Sequence, residues 1–182
     1  VLDTRDHWHH RCGMARHDTG RGVVERHEVT AIQDQLAHNH CYGCGAENEK
    51  GLQIKSHWHG DECVCHYRPR PEQCAGPEQY VYGGTIASLV DCHSIGTALS
   101  NYYKLEGRDV GEAPEIWCVT GRLTVNYLAP TPIDKEIEVR ATIAEVGERK
   151  TLVKSRVYSD GIQTAEGEVI AIRVPDSWKN AN

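Results

Sequence analysis

Phenylalanine is absent from the 182 residues, methionine occurs once, at Met14, and no run of 18 apolar residues exists. The first absence excludes nothing by itself and leaves 8 Tyr and 4 Trp as the aromatic content. The last excludes a membrane-spanning helix, which needs about 20 predominantly apolar residues. Clustered Lys and Arg are missing as well. The formal charge is −6 and the pI near 6.0, which speaks against a nucleic-acid surface, because binding by counterion release needs grouped cations. No second Cys-x-x-Cys accompanies Cys41 and Cys44, so a structural zinc site would have to recruit ligands from His38, His40, His57, His59, Cys63 or Cys65, and no metal is expected. With no secretory signal in view, the chain reads as soluble and cytoplasmic and its eight cysteines as reduced thiols.

What is present is organised around the run Tyr82-Gly83-Gly84-Thr85-Ile86-Ala87-Ser88-Leu89-Val90-Asp91. Two glycines open an apolar segment with helical character that continues to about Tyr103, and one carboxylate interrupts it. Glycine lets a backbone approach a ligand closely, and the free N–H groups of a helix N-terminus favour negative charge. The pattern is that of an oxyanion hole. Gly83 and Asp91 are eight positions apart, ~12 Å along one helix, whereas groups acting on one carbonyl must each lie about 3 Å from it. A catalytic site built from both therefore needs the glycine of one chain and the acid of another, as a two-fold dimer supplies. The alternative is a capped or paired aspartate inside a core helix.

Before this run the chain divides in two. Residues 1–35 are polar and rich in His and Arg and read as an arm ending in a short helix around Val29 to Leu36; residues 36–182 form one domain. Within the domain, Cys41-Tyr42-Gly43-Cys44-Gly45 belongs to a tight loop. The stretches Leu52 to Trp58 and Glu62 to Arg68 alternate as a hairpin about Gly60-Asp61, and prolines then break the pattern up to Tyr80. The helix from Gly84 is apolar on most sides and so calls for a sheet around it. Four strands follow, Trp117 to Leu128, Glu136 to Val146, Thr151 to Ser159 and Ile162 to Val174, read as a meander. On the first, Trp117, Val119, Leu123, Val125 and Tyr127 are expected to share a face. The fold class is α+β, an antiparallel sheet of about six strands curled around one long central helix.

Three groups of residues resemble the hotdog-fold acyl-CoA thioesterases, in particular the branch holding the phenylacetate-pathway thioesterase. They are Cys41-Tyr42-Gly43-Cys44-Gly45 with Asn48 and Gly51-Leu52, Gly83-Gly84 followed by Asp91, and Thr120-Gly121-Arg122-Leu123-Thr124-Val125-Asn126-Tyr127-Leu128 running into Pro130. The resemblance covers roughly residues 41–174. It implies a homodimer or dimer of dimers that hydrolyses an acyl-CoA with no cofactor, CoA being part of the substrate, and with no nucleic-acid or membrane partner. It further implies Asp91 as general base or nucleophile, the Gly83 N–H as the group polarising the thioester carbonyl, and Thr120 as a residue positioning the attacking water. Substrate contacts are expected from Tyr82, Gly84, Asn126, Arg122 and Arg149, with Arg68, Arg70 and Lys150 as further cations for the CoA phosphates.

One position departs from the family pattern. Where its members have His before the two glycines this chain has Tyr82, a phenol that hydrogen-bonds and carries no positive charge near neutral pH. Two further readings follow. A non-catalytic acyl-CoA-binding or scaffold protein would keep the fold without turnover. A hotdog enoyl-thioester hydratase would need a catalytic His, and His93, two residues past Asp91, points to another side of the helix and reads as a core or interface residue.

Overall fold

The computed structural model describes residues 30–179. The chain runs through strands β1 (His57–His59) and β2 (Glu62–Tyr67), helix α1 (Gly83–Leu105), strands β3 (Cys118–Tyr127), β4 (Ile137–Val146), β5 (Lys150–Ser159) and β6 (Ile162–Arg173), and a last turn of helix, α2 (Asp176–Lys179). All six strands join one antiparallel sheet in the order β1-β2-β4-β5-β6-β3. This is the hotdog fold expected from the sequence, with α1 as its 23-residue core.

The helix forms because the sheet can bury it on most sides. Ile86, Leu89 and Val90 pack with Val139, Val157 and Val169 at one end, and Leu99, Tyr102 and Tyr103 with Val153 and Ala171 at the other. Buried polar side chains in the middle of the helix are paired: Ser94 Oγ meets Ser155 Oγ of β5 at 2.8 Å, and Thr97 Oγ1 donates to the His93 carbonyl. A Cβ on Gly167 of β6 would stand 2.5 Å from Val90 Cγ1, so glycine there lets the helix lie close to the sheet.

The sheet departs from the predicted meander. β3 pairs with β6 and not with β4, placing it at the free edge of the sheet. The segment between β3 and β4 contains Pro130 and Pro132, which resist a tight hairpin. It is drawn instead to the start of the helix, where Thr131 accepts from Val81 N–H at 2.8 Å and Tyr80 bridges Pro132. The predicted first hairpin is also shorter at its start. The N–H groups of Leu52 and Ile54 donate to Tyr42 and Gly43 of the cysteine turn, and Gln53 has φ of +57°, so the ladder begins only at His57.

The face predicted for β3 is split. A bulge falls between Thr120 and Arg122, so that Thr120 pairs with Ala171 while Leu123, Val125 and Tyr127 pair with Val169, Gly167 and Ala165. Paired residues point to the same side of a sheet. Thr120 therefore joins Leu123, Val125 and Tyr127 on the helix side, and Trp117 and Val119 do not belong to that set.

Residues 1–29 of the predicted arm lie outside the described residues. The short helix expected behind them is a 3-10 turn, Ile32–Gln35, with Ile32 and Leu36 packed in the core near Leu99 and Tyr103. The packed domain thus starts by Ala31, ahead of the boundary expected at residue 36. Among the described residues no helix is long and apolar enough to cross a membrane.

Candidate functional site

The start of α1 is pinned from two sides, Val81 N–H to the Thr131 carbonyl and Tyr82 N–H to the Gln73 carbonyl, both at 2.8 Å. The Tyr82 carbonyl accepts from Thr85 and Ile86. The N–H groups of Gly83 and Gly84 have no acceptor among the described residues, as expected for a first helical turn. Tyr127, from β3, donates its hydroxyl to the Gly83 carbonyl at 2.7 Å and fixes that peptide. The Tyr82 ring lies over Gly84, where a Cβ would come within 2.2 Å of it, so the ring in this rotamer occupies the space that a side chain at 84 would take. An apolar depression of about 390 Å³ opens here, lined by Tyr80, Gly83, Ile86, Tyr127, Leu128 and Pro130 among others.

Asp91 sits about two turns further along the helix, half-buried. Thr120 Oγ1 donates to Asp91 Oδ1 at 2.5 Å, a contact that the bulge in β3 makes possible by turning Thr120 toward the helix. Burial raises the pKa of the Asp91 carboxyl above its ordinary value, the Thr120 hydrogen bond holds it down in part, and the nearby Cys41 adds to the rise. A carboxylate with a raised pKa is a better base than a free one. The pair faces a different cavity, of about 260 Å³, whose lining includes Cys41, Cys44, Asp91, Cys92, Trp117 and Thr120. Within one protomer, then, the Gly83 N–H and the Asp91 carboxylate belong to separate openings.

The other expected site residues are not gathered around Asp91. Asn126 pairs on β3 with Glu166 of β6 and donates to its Oε1 at 3.3 Å, on the face of the sheet away from the helix. Arg122 also faces outward, beside Ile170, and lines a groove of about 440 Å³ with Glu145, Gly147 and Lys150. Arg149 lies in the β4–β5 turn and its carbonyl accepts from Arg173 N–H. Arg70 donates through Nη1 to the Gly51 carbonyl at 3.3 Å.

His93 is sealed in the core. Its Nε2–H donates to the Cys63 carbonyl at 3.0 Å, which leaves Nδ1 to accept from Ser56 Oγ at 2.8 Å, and Ser56 in turn accepts from Gln33 Nε2. Burial lowers its pKa to about 4, so the ring is neutral and both nitrogens are used. Two contacts near these openings are not legible in the sequence pattern: Tyr127 reads there only as a strand residue, and for Cys92 the available signal is its place next to Asp91. The structure brings Cys92 Sγ to 3.8 Å from Cys41 Sγ.

The thioesterase superfamily model matches residues 78–166, a span that includes Gly83, Asp91 and Thr120. No curated protein matches the chain. Among solved structures, a thioesterase superfamily protein of Shewanella loihica PV-4 is 34% identical, aligned over 76% of this chain and 97% of that one, with a TM-score of 0.57. The PaaI protein of the E. coli phenylacetic acid degradation operon is 14% identical over 68% of this chain and 81% of its own, TM-score 0.55. A Streptococcus mutans UA159 protein solved bound to acetyl CoA is 13% identical over 66% and 88%, TM-score 0.54. The last two show likeness of fold alone. On the family model and on 34% identity across nearly the whole of a relative, the chain belongs to the thioesterase superfamily.

Proposed function

We propose that the protein hydrolyses an acyl-CoA thioester in a site shared between two protomers. The observation that carries this reading is the position of the Asp91–Thr120 pair, in a cavity separate from the free N–H groups at Gly83 and Gly84 of its own helix. Antiparallel apposition of two such helices about a two-fold axis would set the helix start of one against the acid of the other. The edge position of β3 supports such pairing, since its unpaired backbone and the exposed Leu123, Tyr127 and Leu128 invite a second copy. Membership in the superfamily supports the reaction class, and the acetyl CoA bound to the Streptococcus relative supports CoA as the carrier.

In this mechanism the thioester oxygen accepts from the Gly83 N–H, in the field of the α1 N-terminus, so that the negative charge of the tetrahedral intermediate is met by a fixed donor. Asp91 of the partner subunit deprotonates water for attack on the carbonyl carbon, or attacks it directly to give an anhydride that water then opens. The C–S bond breaks and CoA leaves as its thiol. Thr120 orients the Asp91 carboxylate through Oδ1 and leaves Oδ2 for the reacting molecule. Arg122 and Lys150, which share one groove, are suited to the CoA phosphates. Tyr82, exposed at the rim of the helix start, borders the acyl group. Hydrolysis in labelled water distinguishes the two roles of Asp91, because single turnover leaves oxygen-18 in its side chain only if it attacks.

A panel of short, aryl and long-chain acyl-CoAs tests the proposal. Wild type is expected to release CoA from at least one of them, and Asp91→Asn from none. Binding without hydrolysis by both proteins would assign a binding or scaffold role instead. The sealed, neutral His93 supports no hydratase chemistry.

A further inference from the structure

The turn that opens the domain carries thiols at Cys41 and Cys44, and α1 presents a third, Cys92, against them. The three Sγ atoms lie within 4.8 Å of one another, and those of Cys41 and Cys92 are 3.8 Å apart. A disulfide would need about 2.05 Å. Thiolates held at about 2.3 Å from one tetrahedral zinc ion stand about 3.8 Å from each other. The spacing is that of a thiol–thiol hydrogen bond and equally that of two sulfurs sharing an ion, so an ion could enter without moving the two apart.

The backbone is arranged for this approach. A Cβ on Gly43 would come within 2.2 Å of Cys92 Sγ, so only glycine lets the turn close on the third sulfur. On Gly45 a Cβ would strike the Asn39 carbonyl and the Cys41 backbone at about the same range, 2.5 Å, which keeps the turn tight. Asn39 Nδ2 lies 4.0 Å from Cys44 Sγ, and Asn39 Oδ1 accepts from the Cys41 N–H at 3.2 Å. Outer hydrogen bonds of this kind orient and tune metal ligands.

We propose that Cys41, Cys44 and Cys92 form a three-thiolate site for a soft d10 cation of the zinc class, which ties the 41–45 turn to helix α1. The sulfurs line the cavity that also holds Asp91 and Thr120, leaving a fourth coordination position for water or another donor from that cavity. The proposal does not rest on thioester hydrolysis and stands whether or not the protein catalyses it.

The test uses the full chain, kept reduced by a phosphine and freed of metal with a chelator, then titrated with Cd2+, whose thiolate complexes absorb in the ultraviolet, and with Zn2+ against a chromophoric chelator. Expected are a cadmium–sulfur band of three thiolates saturating at one ion per chain, proton release on binding and a raised melting temperature. Cys41→Ser, Cys44→Ser and Cys92→Ser should each weaken binding by at least about tenfold, given that loss of an outer partner alone costs that much. Cys74→Ser, on the Cys74–Val81 bridge, should bind as wild type does. Histidines of residues 1–29 bind through nitrogen and give no sulfur band. Uptake without that band, or undiminished in the three serine variants, would overturn the proposal. Should Cys92→Ser fail to fold, the exposed Cys41 carries the test through Cys41→Ser.

Discussion

Thr120 Oγ1 stands 2.5 Å from Asp91 Oδ1, donating across from an edge strand to the one carboxylate of the central helix. The hydroxyl reaches that position because the β3 bulge at Gly121 reverses which residues face the helix. A Cβ on Gly121 would meet Ile172 Cδ1 at 2.5 Å, so the bulge is built around a missing side chain.

Thr120→Val should keep the shape of the site and remove the donor. Hydrogen bonds to charged groups are worth about 1.5–3 kcal/mol, so kcat is expected to fall by about tenfold to a hundredfold. The hydroxyl is the group that holds the Asp91 carboxyl down against burial. Its loss therefore raises that pKa further, and the acid limb of kcat against pH should move to higher pH. An unmoved limb would deny Asp91 the role of base.

Leu123 lies on the exposed edge strand, on the helix side of the sheet. Leu123→Lys places a charge where a second copy is expected to pack. Sedimentation should show a shift from dimer toward monomer, with loss of thioester hydrolysis in parallel. A monomeric and fully active variant would contradict the shared site.

The neutral, buried His93 makes the fold sensitive to acid. Its pKa in the folded protein is lowered to about 4, against an ordinary 6.5. The unfolded chain therefore binds more protons between these values, and stability declines as pH falls from 6.5 toward 4. By linkage the loss at pH 5 is on the order of 2 kcal/mol. His93→Gln should be less stable at pH 7, through the disturbed Ser56 and Cys63 contacts, yet lose less between pH 7 and pH 5. Urea midpoints at the two pH values check this.

Gly167 of β6 lies directly against Val90 of α1. A methyl group there meets Val90 Cγ1 at 2.5 Å and the Thr124 carbonyl at 3.1 Å, and overpacking of this kind costs about 1–3 kcal/mol. Gly167→Ala should lower the urea midpoint accordingly, without shifting the acid limb of the rate.

Much of this architecture was legible in the chain. The apolar helix and the strand alternation are local patterns that lead to the fold class, and the lone acid eight residues past a glycine is the pattern from which a site shared by two protomers is proposed. Strand order was not legible, because Pro130 and Pro132 mark a break without saying where the chain goes next. The side on which Thr120 lies depends on a bulge, which alternation alone misreads by one residue. Cys41 and Cys92 are 51 positions apart, and only the packing of the cysteine turn on α1 joins them.

The division of labour between protomers is tested most directly by combining two inactive chains. Gly83→Pro deletes the donor N–H while suiting the first position of a helix; Tyr82 already has the extended conformation that precedes proline, φ −59° and ψ 130°, and a Cβ finds Tyr127 no closer than 3.4 Å. Asp91→Asn removes the acid. Co-expressed with two affinity tags and purified as a heterodimer, the pair contains one site with both groups intact and one with neither, so the account predicts about half the wild-type rate per dimer from two parents that have almost none. A heterodimer as inactive as its parents would show that the amide and the acid do not act together across the interface.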